Sequence, residues 1–99
     1  MTITEHALLE VIPGQEDEFL DAMDQAKSII ASSPGFLGLR VERCMERPSC
    51  FLLLVEWETL EAHTEGFRGS AAYEEWRGML HHFYDPFPVV EHFQVVARA

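Results

Sequence analysis

LGLRVERCMERPSCFLLLVEW, residues 37–57, carries the pattern that decides the fold. Two apolar runs, Leu37 to Cys44 and Cys50 to Trp57, are joined by Met45 to Ser49, a short segment with Pro48 that suits a hairpin loop. Pairing Cys44 with Cys50 sets Glu42 opposite Leu52, Arg40 opposite Leu54 and Gly38 opposite Glu56. One face of the hairpin then carries Leu39, Val41, Phe51, Leu53, Val55 and Trp57. The other carries Arg40, Glu42, Leu52, Leu54 and Glu56. A slip of one residue would mix the two sets, so the segregation itself supports the register.

Working outward, Thr2 to Val11 reads as a first strand, with Ile3, Ala7, Leu9 and Val11 on one face and His6, Leu8 and Glu10 on the other. Pro13-Gly14 ends it. A helix follows, opened by Glu16, Asp17 and Glu18 at the positive end of its dipole and striped by Phe19, Met23, Ala26 and Ile30. Ser32-Ser33-Pro34-Gly35 closes it. Beyond the hairpin, Thr59 suits the N-cap of a short helical turn bearing Leu60, His63 and Phe67. Ser70 suits the cap of a second helix striped by Tyr73, Trp76, Leu80 and Phe83, with His81-His82 complementing its negative end. Asp85-Pro86-Phe87-Pro88 leads to a last strand, Val89 to Ala97. The alternation there puts Val90, His92, Gln94 and Val96 opposite Val89, Glu91, Phe93 and Val95.

The order β-α-β-β-α-β predicts a single α+β domain over residues 1–99, ferredoxin-like, with one four-stranded antiparallel sheet. Both helices are expected on the Leu39/Val41/Phe51/Leu53/Val55/Phe93 face. That leaves His6, Leu8, Arg40, Glu42, Leu52, Leu54, Glu56, Val90, His92 and Gln94 on a face too apolar for water and too polar for an ordinary core. A second copy of the chain is its expected cover.

Composition excludes several classes. Seventeen acids against seven Lys and Arg give a net charge of −10 with no basic cluster, which argues against nucleic acid and anionic membrane as partners. No apolar run has the length of a membrane span, and the N-terminus lacks a basic-then-apolar leader, so the cytoplasm is the expected address. Cys44 and Cys50 are expected to stay reduced there. The chain contains no Gly-rich phosphate loop, no nucleophile elbow and no Cys-x-x-Cys pair.

The run Trp57-(x)5-His63-(x)3-Phe67-Arg68-(x)-Ser70-(x)2-Tyr73-(x)2-Trp76-Arg77, with Phe83-Tyr84-(x)-Pro86 and Val90-Glu91-His92-Phe93 after it, resembles the antibiotic biosynthesis monooxygenase domain family. The resemblance implies pairing into a dimeric α/β barrel, with a ligand pocket between helices and sheet in each subunit. It also implies oxygenation of polycyclic phenols without metal or flavin, isomerisation of small signalling molecules, or heme breakdown. The heme-degrading branch uses an Asn on its first strand, a Trp, and an iron-ligating His. This chain has no Asn, and Phe67 and Arg77 stand at the other two positions, which disfavours heme breakdown.

His6 and His92 are the candidate catalytic bases, because both are expected on the uncovered face of neighbouring strands and an imidazole is partly neutral near pH 7. The plainer alternative is a pair of hydrogen-bonded interface histidines. Adding Glu56 makes a two-His, one-carboxylate set, but no ligand spacing supports a metal and Arg40 opposes one. Arg40, Glu56, His63, Phe67, Tyr73 and Trp76 are the candidates to hold a small aromatic substrate. For Arg40 and Glu42 the plainer role is a mutual ion pair, and for the three aromatics it is core. The expected activity is cofactor-independent oxidation of a phenol or quinol, in which His6 or His92 removes the hydroxyl proton. The alternative is a non-catalytic ligand-binding or stress-related dimer.

Overall fold

The computed structural model describes residues 2–99. Its elements are β1 (Ile3–Glu10), α1 (Glu16–Ala31), β2 (Phe36–Arg43), β3 (Cys50–Trp57), a π-helical turn (Ala62–Phe67), α2 (Ala71–Leu80), a 3-10 turn (His81–Phe83) and β4 (Val90–Phe93). The sheet order is β2-β3-β1-β4, with every neighbouring pair antiparallel, and the fold is the ferredoxin-like α+β arrangement. In the hairpin Arg40 faces Leu54, Glu42 faces Leu52 and Gly38 faces Glu56, while the Cys44 amide donates to the Cys50 carbonyl at 2.9 Å. A bulge between Phe36 and Gly38 lets β2 start one residue before the apolar run.

Helix α1 buries Phe19, Met23, Ala26 and Ile30 against the sheet. Phe19 is fully enclosed and lies 5.0 Å from Phe51 and 6.0 Å from Phe83 between ring centroids. Enclosing a side chain of that size contributes about 1.5–3 kcal/mol. Thr59 accepts a hydrogen bond from the Ala62 amide at 3.1 Å, and Ser70 accepts one from the Tyr73 amide at 3.2 Å. Such caps stabilise a helix start by about 1 kcal/mol each. The α1–β2 turn passes close under the π-helical turn. Gly35 has φ +84°, and a Cβ there would lie 2.7 Å from that of Ala62, so glycine is required twice over.

The last strand departs from the expected pattern. Only Val90–Phe93 is strand, and Glu5 faces His92 while Ala7 faces Val90. Val90 and His92 therefore lie on the helix-covered face, with Glu91 and Phe93 on the other. The expected phase was inverted, and Gln94 and Val96 lie beyond the strand. A four-residue strand reading Val-Glu-His-Phe is equally apolar in both phases. Its register is set by the core that Val90 joins and by the chain's route from α2, neither of which is local.

The uncovered face thus carries His6, Leu8, Arg40, Glu42, Leu52, Leu54, Glu56 and Phe93, with Leu8 39% and Phe93 50% exposed. No helix among the described residues is long and apolar enough to cross a membrane.

Candidate functional site

Between the inner sheet face, the π-helical turn, α2 and the connector after it lies a cavity of about 320 Å³. Its wall is mainly aromatic, with Phe67, Tyr73, Trp76, Tyr84 and Phe87, together with His63, His81 and Val90. Two charged side chains also line it, Glu5 and Arg68.

Glu5 sits on β1 at an inward position between Ile3 and Ala7, only 6% exposed. Its Oε1 accepts from the Trp57 indole N–H at 3.0 Å and lies 3.3 Å from Nε2 of His63. The other nitrogen of His63, Nδ1, is 2.8 Å from Nε2 of His92. A row of contacting polar groups therefore runs from a cavity-lining carboxyl, past a buried imidazole, to a partly exposed imidazole hydrogen-bonded to it. His63 is held flat by stacking on Trp57, with centroids 5.4 Å apart and planes at 20°.

The π-helical turn makes this placement. Its hydrogen bond runs from the Arg68 amide to the His63 carbonyl, five residues back, at 3.1 Å. That wide turn lets His63, Phe67 and Arg68 all reach one cavity, and single π turns recur at functional sites.

Electrostatics favour neutral members along this row. Burial raises the Glu5 pKa, against the opposing Trp57 hydrogen bond and the Arg68 charge. Burial, Arg68 and His92 together push His63 down to about 3. Burial and then Arg68 lower His92 as well. Glu5 and His63 are in contact at 3.3 Å, which is long for a charge-assisted pair. In the His63–His92 hydrogen bond one ring donates and the other accepts.

The residues singled out in the sequence divide between the two faces. His63, Phe67, Tyr73 and Trp76 line the cavity. His92 touches His63 but not the cavity. His6 lies on the opposite face from His92, edge-on to Phe93 at 5.3 Å, so the expected pair does not form. Arg40 and Glu56 also lie on that outer face. Arg40 pairs with Glu42 at 3.0 Å, both exposed, and Glu56 accepts from Thr4 at 2.6 Å. The set His6, His92 and Glu56 cannot converge on one ion. Burial and Arg77 lower the His81 pKa, and its ring packs against Tyr73, Tyr84 and Phe87.

Glu5, Arg68, His81 and Tyr84 were not expected in the site. An acidic residue at an inward position of an otherwise apolar strand was the signal for Glu5.

Known proteins are similar over the whole chain. The uncharacterised protein YczJ of Bacillus subtilis is 54% identical over 94 residues, covering 95% of this chain and 99% of YczJ. The crystal structure of a provisionally assigned antibiotic biosynthesis monooxygenase from Bordetella bronchiseptica superposes with a TM-score of 0.93 at 34% identity, covering 97% of this chain and 98% of that one. The fold also matches SnoaB of Streptomyces nogalater, described as a cofactor-independent oxygenase, with a TM-score of 0.81 at 16% identity over 98% of this chain and 95% of SnoaB. The family model described as antibiotic biosynthesis monooxygenase matches residues 2–79, and with that match and these identities the chain belongs to the antibiotic biosynthesis monooxygenase family.

Proposed function

We propose that the chain is a cofactor-independent monooxygenase of a phenol or quinol, with Glu5 as the base that meets the substrate. The observation that carries this reading is a buried carboxyl lining an aromatic cavity, beside a buried imidazole stacked on Trp57. A carboxylate whose pKa is raised by burial is a stronger base than one in water. It removes the hydroxyl proton and holds it as the neutral acid, which its burial favours. The electron-rich phenolate then reduces oxygen inside a pocket that limits access of water. One oxygen atom becomes a quinone carbonyl and the other leaves as water, with all four electrons supplied by the substrate. The likeness in fold to SnoaB, described as a cofactor-independent oxygenase, agrees with this reading. Oxygen uptake on adding dihydroxynaphthalenes to purified protein, with the hydroxyquinone identified by mass, tests it. Tight binding of such compounds without oxygen uptake would favour the binding-module alternative.

The working form in this proposal is a homodimer joined through the uncovered sheet faces. Leu8 and Phe93 stand half-exposed there, and His6 Nδ1 is buried without a hydrogen-bond partner within the chain. Light scattering at micromolar concentration is expected to give twice the chain mass, falling to the chain mass in Leu8→Arg. A monomer mass for the wild type would refute the dimer.

A further inference from the structure

The cations of this acidic chain are accounted for almost one by one. Lys27 pairs with Asp24, Arg40 with Glu42, Arg47 with Glu10 and Arg77 with Glu74, while Arg43 lies over the Phe51 ring. Arg98 is near the end of the chain. Arg68 differs from all of these. It lines the cavity, and no carboxylate of the described residues lies within ion-pair distance of it. Arg68 is exposed to solvent at the rim of the cavity, and among seventeen acids in the sequence none of the described ones pairs with it. Its charge is felt by Glu5, His63 and His92, so it faces the side of the cavity that they form.

We propose that Arg68 receives a carboxylate carried by the substrate, which makes the preferred substrate class a one- or two-ring hydroxyaryl carboxylate. This rests on the reading of the cavity as an oxidation site for phenols. A planar guanidinium matches a carboxylate through two parallel hydrogen bonds. Docking the acid there sets the neighbouring hydroxyl toward Glu5. The cavity volume of about 320 Å³ is at the low end for small-molecule pockets and is ample for one or two fused rings. The net charge of −10 repels an anion at a distance, but that field is screened over about 8–10 Å at ordinary salt. Within the cavity the local cation decides.

The test is direct binding, independent of turnover. Titrating the intact protein with 1-hydroxy-2-naphthoate and with 1-naphthol, followed by calorimetry, is expected to show the acid bound at least about tenfold more tightly, as one charge-assisted contact gives. Arg68→Gln should erase that margin and leave naphthol affinity within about twofold, and Arg68→Lys should restore part of the margin. Equal affinities in the wild type, no binding of either compound, or a margin that survives Arg68→Gln would each overturn the proposal. Acid bound through Arg68 with no phenol or quinol oxidised would sink the oxygenase reading and leave this one standing. Quinols oxidised with no preference for the acid would do the reverse.

Discussion

Glu5→Gln should lower turnover of any phenol or quinol that the wild type oxidises by about a hundredfold or more, the usual loss on removing a general base. The substitution keeps shape and hydrogen bonding. The amide oxygen still accepts from Trp57, on which His63 stacks, so the surroundings stay in place. Only the capacity to take a proton is removed. Folding stability at neutral pH should hold or rise, because a neutral amide is less costly to bury than a carboxylate. Glu5→Ala is the contrasting control. It leaves the Trp57 donor unpaired, at about 1–3 kcal/mol, so it loses stability and turnover together. His92→Ala removes the hydrogen-bond partner of His63 but not the group that meets the substrate, so its effect should be smaller than that of Glu5→Gln. His6→Ala, on the opposite face, should keep near wild-type turnover per chain. Rates measured beside urea midpoints separate these cases. Full activity in Glu5→Gln would remove Glu5 from the mechanism.

How far the sequence could be read depended on how much pattern each element carried. The central hairpin has two eight-residue strands with well-separated faces, and its register followed from side-chain chemistry alone. Helix α1 repeats its apolar stripe over four turns, and Thr59 and Ser70 cap where their hydroxyls suggested. The four residues of β4 gave no such redundancy, and their inverted phase moved His92 from His6 to His63. The expected phase puts the candidate bases on the outer face, whereas His63, Phe67, Tyr73 and Trp76, also singled out in the sequence, line the inner cavity. The resemblance to the family placed the pocket between helices and sheet, where the cavity lies. Glu5 escaped notice because a charged residue on a buried strand face breaks the alternation used to find strands. Its partners, Trp57 and His63, are more than fifty residues away in the chain, so nothing local announces them.

Glu5 and His63 make the pH dependence of stability separable into opposing parts. Burial raises the Glu5 pKa from its ordinary 4.5, so the folded state holds that proton more tightly than the unfolded chain does. The stability this gives is full below about pH 4.5 and is lost as pH rises through the folded value. His63 works the other way. Its pKa falls from 6.5 to about 3 on folding, so its contribution is present above pH 6.5 and is lost as pH falls. A tenfold displacement of a protonation equilibrium is worth about 1.4 kcal/mol, so complete loss of the His63 contribution by pH 3 is on the order of 4 kcal/mol. His81 and His92, also lowered, add to the His63 trend. Between pH 4.5 and 6.5 the opposing contributions partly cancel in the wild type, and substitution should unmask them. Relative to Glu5→Gln, the wild type should lose ground as pH rises through this window. Relative to His63→Phe, which keeps an aromatic ring on Trp57, it should gain ground over the same range. Because Glu5 and His63 are in contact, the double variant is needed to measure their coupling. Urea midpoints for all four proteins at half-unit steps from pH 4 to 8 provide the readout. Two difference curves sloping in the same direction would show that Glu5 and His63 do not titrate as buried neutral neighbours, and the assignment of Glu5 as a base strengthened by burial would fall with it.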